Sequence, residues 1–131
     1  MQALSGPSAS DADLRESWNA FLPRYFRHPD PGVCDRALRD VVFSAAASNR
    51  SLLGCLPNFN VAGRLGEVAV PTLILAGRHD FVCPVAPAAD LLHAGIRGST
   101  LTVFDESVHF PFIEEQDRYL RVVAEWLAAL E

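Results

Sequence analysis

A chain of 131 residues, half of them apolar and 21% charged, fits one modest globular domain and argues against a disordered chain. Its formal charge of −5, with Arg as the sole cationic type because Lys is absent, argues against a nucleic-acid or anionic-membrane partner. No apolar run approaches the roughly 20 residues of a membrane span. The opening MQALSGPSAS lacks the basic and apolar regions of a secretory signal, so the sequence predicts a cytoplasmic protein.

Residues 1–9 are small and polar and read as a flexible N-terminus. Residues 10–66 read as helical. Ser10 followed by Asp13 has the pattern of a helix N-cap with a supporting acid, and Leu14, Trp18, Phe21, Leu22 and Tyr25 recur at helical spacing. Pro23 should kink or shorten that helix. Core packing is the expected role for its aromatic stripe, with a substrate-pocket role as the alternative. A second helix is expected over 34–47, with Leu38, Val41, Val42 and Ala45 on one face. A short turn over 51–56 ends at Pro57.

From residue 67 to 131 strand and helix alternate. VPTLILA at 70–76 is a continuous apolar run between Glu67 and Gly77, as a strand buried on both faces of a parallel sheet would be. Pro84 suits the first turn of a helix through Ala88, Leu91 and Leu92, which Gly95 and Gly98 end. TLTVF at 100–104 is the next strand. The last helix starts near Glu114, with Leu120, Val123, Ala124 and Leu127 expected on one face. The fold class is α/β: a βαβα unit with two parallel strands, preceded by helical segments.

Loops at the C-terminal ends of parallel strands are where functional groups collect. Two such loops occur, AGRHDFVCP with Asp80 and FDESVHFPFIEE with His109. Parallel neighbours bring both to one sheet edge, where a carboxylate can orient an imidazole by accepting its Nδ1–H, leaving Nε2 as a general base. The bland alternatives are a helix-capping Asp80 and a packed His109 beside Phe110 and Phe112. His79 reads as a surface residue, and Glu114 and Glu115 as helix-start charges. His28 and His93 have no ligand spacing, so no metal or other cofactor is expected. Cys34, Cys55 and Cys83, odd in number and far apart, read as small buried thiols rather than disulfides.

The stretches VPTLILAGRHDFVCP and LTVFDESVHFPFIEEQDRYLRVVAEWL resemble the last two strands and final helix of the α/β-hydrolase superfamily. More narrowly they resemble its proline iminopeptidase-like branch. The P-T-L-x-L-x-G-x-x-D pattern at 71–80 is similar to the acid loop, and His109-Phe110-Pro111-Phe112 with Glu114 and Glu115 to the histidine loop. The resemblance makes 67–131 the C-terminal part of an incomplete α/β-hydrolase sheet and 10–66 a helical cap-like region. It makes Asp80 the triad acid and His109 the triad base.

Two departures stand out. Val108 occupies a position where the family usually has Gly. No G-x-S-x-G elbow occurs in the sequence, nor the His-Gly segment that would help to form an oxyanion hole. The resemblance therefore implies part of a serine hydrolase for ester, amide or aminopeptidase-type hydrolysis, inactive alone. A small-molecule or peptide substrate would be met once an N-terminal half completes the site. The alternative is a non-catalytic remnant or association module, self-associating through its exposed strand edge.

Overall fold

The computed structural model of the chain describes residues 6–130. These fall into two compact units. One takes in the chain up to Arg24 and His28–Asn60; the other takes in Tyr25–Arg27 and the chain from Val61 onward. The sequence changes character near residue 66, a few residues beyond that division. Of the N-terminal stretch expected to be flexible, residues 1–5 lie outside the described residues. Ser8 is tied to Asn49 through its backbone N–H (2.8 Å) and carbonyl (2.8 Å).

The first unit is helical. Helix α1 (Asp11–Phe21) starts as the sequence predicts, with Ser10 accepting from the Asp13 N–H. Pro23 shortens it, and the backbone tightens into a 3-10 turn at Leu22–Tyr25. The single helix expected over 34–47 is instead two, α2 (Pro31–Arg39) and α3 (Ala45–Arg50). Each has its own cap. Asp30 accepts from the Val33 N–H, and Ser44 from the Ala47 N–H. The β-branched pair Val41 and Val42 falls in the break between them, and Val42 is 92% exposed rather than on a buried face. Arg15 reaches into that break, donating to the carbonyls of Leu38 and Val41. Leu14, Phe21, Cys34, Leu38 and Ala45 are buried.

The second unit holds the sheet. Strand β1 (Leu73–Gly77) pairs in parallel with β2 (Thr100–Phe104), Leu73 opposite Thr100 and Gly77 opposite Phe104. The strand begins at Leu73 rather than at Val70 because Pro71 has no N–H to give a ladder. Ile74 and Ala76 are buried with Ala89, and Val85 and Leu101 pack against them. On the other face Leu73 and Leu75 are only half-buried. Regular helix after Pro84 is confined to α4 (Asp90–Gly95). Ala86 stays extended (φ −104°, ψ 121°), as a residue before a proline prefers.

The C-terminal helix is broken as well. A short α5 (Pro111–Glu114) precedes α6 (Gln116–Ala128), with Glu115 non-helical between them (φ −124°, ψ 47°). The face expected inside is mostly outside. Leu120 and Leu127 are exposed, while Tyr119, Val122, Val123 and Trp126 are half-buried. Both stripes recur at helical spacing, and the aromatic one prevails: Tyr119 packs on Phe104 and Phe112. No helix among the described residues is long and apolar enough to cross a membrane.

Candidate active site

β1 and β2 end side by side, so the loops that follow them leave the sheet together. The acid loop turns at once. The Asp80 N–H donates to the Gly77 carbonyl, and Oδ1 of Asp80 accepts from the N–H groups of Val82 (2.7 Å) and Cys83 (2.9 Å). Those bonds fix the carboxyl and leave Oδ2 to face the neighbouring loop. There it lies 2.8 Å from Nδ1 of His109. A carboxylate can only accept, so Nδ1 carries the proton and Nε2 is the basic nitrogen. The Asp80 side chain is 7% exposed and that of His109 29%, so the pair is buried at its acid end and open at its imidazole end.

Backbone hydrogen bonds, an Arg78–Asp105 ion pair (2.6 Å) and a close approach at Gly77 hold the histidine loop against the acid loop. The Arg78 N–H donates to the Phe104 carbonyl (2.8 Å) and the His79 N–H to that of Ser107 (3.1 Å). At Gly77 the chains touch directly: a Cβ there would lie 1.8 Å from the Val108 carbonyl oxygen. Glycine is required for that close approach. Val108, in the position where the resembled family favours glycine, causes no backbone strain, because no non-glycine residue among those described has a positive φ. It is buried, and its N–H donates to Glu114.

Around the imidazole lies an aromatic wall. The Tyr25 ring meets His109 edge-on (centroids 4.9 Å) and stacks on Phe110 (5.7 Å), with Phe81 edge-on to Tyr25 (5.6 Å). The Tyr25 carbonyl also accepts the His109 N–H (3.0 Å). Burial, together with the negative charge of Asp80, raises the Tyr25 phenol above its ordinary pKa, so it stays protonated. Burial and the Asp80 charge likewise raise the Cys83 thiol, which keeps it from being a thiolate nucleophile. A cavity of about 310 Å³ opens beside the pair, lined by Gly77, Asp80, Cys83, Leu92, His109 and Pro111.

The other residues singled out in the sequence lie elsewhere. His79 and His28 are exposed, and His93 pairs with Ser99 (2.9 Å). The described residues contain no group of three or more His, Cys, Asp or Glu placed to hold a metal. All three cysteines are free, but only Cys34 is buried, which corrects the expectation of buried thiols. Cys55 ends a helical segment (Ser51–Cys55) and is exposed, and Cys83 is exposed as a residue although it lines the cavity. Glu114 lies in the single turn of α5 and Glu115 is the N-cap residue of α6, at helix starts as expected, but Glu115 makes no side-chain cap bond to α6. Both side chains turn to the histidine loop. Apart from the resemblance of 109–115 to a histidine loop, two adjacent acids five and six residues beyond His109 are the sequence signal for that, and they carry the same signature as a helix N-terminus. Tyr25, 84 positions before His109, gave no signal beyond its place in an aromatic stripe.

Comparison with known proteins adds a lineage. No family model matches the chain. Proline iminopeptidase of Saccharolobus solfataricus is 36% identical over 77 residues, 59% of this chain and 24% of that protein. That of Clostridioides difficile is 34% identical over 76 residues, 58% of this chain and 25% of the other. Among solved structures, an esterase from Exiguobacterium antarcticum superposes with a TM-score of 0.76 at 26% identity, covering 89% of this chain and 44% of that one. An alpha/beta fold family hydrolase from Bacillus anthracis gives 0.71 at 25% identity, covering 96% and 45%. The chain thus spans about a quarter of the length of the curated relatives it matches and under half that of these two structures. In fold it is the C-terminal portion of an α/β-hydrolase, and in sequence that portion is proline iminopeptidase-like.

Proposed function

We propose that this chain supplies the acid and base of a serine-hydrolase triad, Asp80 and His109, for ester, amide or aminopeptidase-type hydrolysis. The observation that carries the reading is the 2.8 Å contact from Asp80 Oδ2 to His109 Nδ1, which leaves Nε2 at the open end of the pair. In such a site Nε2 takes the proton of a serine hydroxyl as it attacks the carbonyl, and Asp80 stabilises the imidazolium that forms. His109 then returns the proton to the leaving group. A positioned base of this kind contributes roughly 10²–10⁴ in rate. Names of the similar proteins, proline iminopeptidases and an esterase, are consistent with acyl-transfer chemistry.

The 131 residues contain neither the nucleophile elbow nor the oxyanion donors, so both would come from a segment outside this sequence. The test is complementation. The chain is mixed with a separately expressed N-terminal half of a related enzyme, and aryl ester and aminoacyl-arylamide hydrolysis is measured. No turnover by the chain alone, recovery on mixing, and loss of that recovery with His109→Ala are expected. Recovery that persists in His109→Ala would overturn the assignment.

A second reading has an observation of its own. β1 has a single hydrogen-bonded neighbour among the described residues, and its other edge is open. A chain acting as an association module would use that edge to self-associate. Sedimentation at low micromolar concentration tests it: a monodisperse monomer with a cooperative melt would remove this reading.

A further inference from the structure

We propose that Glu114 and Glu115 act together as positioning residues, holding the backbone ahead of His109 so that its imidazole stays on Asp80. Three consecutive residues of the histidine loop each hand one donor to this pair. The Glu106 N–H (3.0 Å) and the Ser107 hydroxyl (2.7 Å) donate to Oε2 of Glu115, and the Val108 N–H (2.9 Å) donates to Oε2 of Glu114. With the His109 N–H on the Tyr25 carbonyl, the loop is held at four successive residues up to the base itself.

The two carboxylates are anchored in different places. Oε1 of Glu114 accepts the Arg27 N–H (2.6 Å), so one carboxylate joins the Tyr25–Arg27 segment to the histidine loop. Oε1 of Glu115 meets Arg118 (3.1 Å), whose other nitrogen donates to the Val103 carbonyl at the end of β2 (2.9 Å). The loop is thereby referenced to the strand that launches it and to the segment that lines the imidazole. Ser107 is fully buried, and its hydroxyl has Glu115 as partner. Donors that are buried and matched to charged acceptors are costly to leave unmade, which makes the arrangement selective for one loop conformation.

Glu114 has an asymmetric demand. Its two oxygens each accept a backbone N–H, so a glutamine there satisfies one and opposes the other. Glu115 concentrates two donors on one oxygen, which a glutamine can still offer, at the loss of its ion pair with Arg118. The inference rests on the reading of His109 as a base for its catalytic meaning, though not for its geometry.

Deuterium exchange across residues 105–110, together with the His109 Nδ1–H resonance, tests it on the whole chain. Glu114→Ala and Glu115→Ala should quicken exchange roughly tenfold to a hundredfold and abolish the resonance. Glu114→Gln should show a partial form of both changes, and Glu115→Gln a smaller one. Where an alanine variant fails to melt cooperatively, the glutamine variants decide. Folded Glu114→Gln protein with the exchange and the resonance of the unaltered chain would overturn the proposal. In the complemented enzyme the same variants should lower kcat with KM little changed. Failure of complementation by the unaltered chain would count against the hydrolase reading alone, because the exchange data stand without turnover.

Discussion

The acid loop and the histidine loop reach the same spot by different means. Asp80 is oriented by its own neighbours: its carboxyl accepts the N–H groups two and three residues ahead, a turn written into five or six consecutive letters. His109 is oriented by groups far along the chain or in other elements, namely Gly77, Tyr25, Glu114, Glu115 and, through Glu115, Arg118. The difference teaches that the two halves of one pair need not be equally robust. A self-contained turn survives changes elsewhere, whereas a loop held from several sides inherits every disturbance of its supports.

The largest expected break in that contrast is Gly77→Ala. The added carbon would stand 1.8 Å from a backbone oxygen of the histidine loop, which cannot give way as a side-chain tip would. Overpacking of this kind costs about 1–3 kcal/mol and here sits at or above the upper end. A denaturant melt should show the loss, and the His109–Asp80 contact should vanish while the Asp80 turn persists. Next comes Ser107→Ala, which removes a fully buried donor from a carboxylate. About 1.5–3 kcal/mol should go, read as a lower midpoint of unfolding.

Asp80→Asn sharpens the comparison from the other side. The amide oxygen can keep the bonds from Val82 and Cys83, so the acid loop should hold its shape, with stability changed by about 1 kcal/mol or less. The amide nitrogen would then face Nδ1, and the histidine should adopt the other tautomer, visible in its ring nitrogen shifts. The smallest effect is on pH. Burial would raise the Glu115 carboxyl, but the Ser107, Arg118 and Glu106 donors outweigh it and hold the group below its ordinary value of 4.5. A depressed folded value means that its contribution is full above the unfolded value and is lost as pH falls through the folded one. Stability should therefore be flat near neutrality and fall in acid, and Glu115→Gln should flatten that acid limb in a pH series of melts.

What could be read from the sequence follows the same division. An unbroken apolar run at 70–76 and β-branched letters alternating with larger apolar ones at 100–104 gave the two strands, the strand–helix alternation gave their parallel sense, and together these placed Asp80 and His109 at one edge. These are properties of periods and short windows. The break between α2 and α3 was hidden because Val41 and Val42 fit a helical stripe by polarity while resisting it by shape. In α6 two apolar stripes share one segment, and only the Phe104 and Phe112 rings decide between them. The support of His109 was hidden for a further reason: Glu114 and Glu115 look the same on paper whether they cap a helix or accept from a loop.

Arg118 carries a consequence that reaches past its own bonds. Its flat cation rests 4.8 Å over the Phe104 ring while one nitrogen grips the strand end and another grips Glu115. It works as a tripod, with feet on a strand, an aromatic face and an acid, and a single ammonium could not stand on all three. In a chain whose side-chain cations are all arginine, this is a place where that choice governs shape: any tilt of the second strand is levered directly into the loop that bears the imidazole.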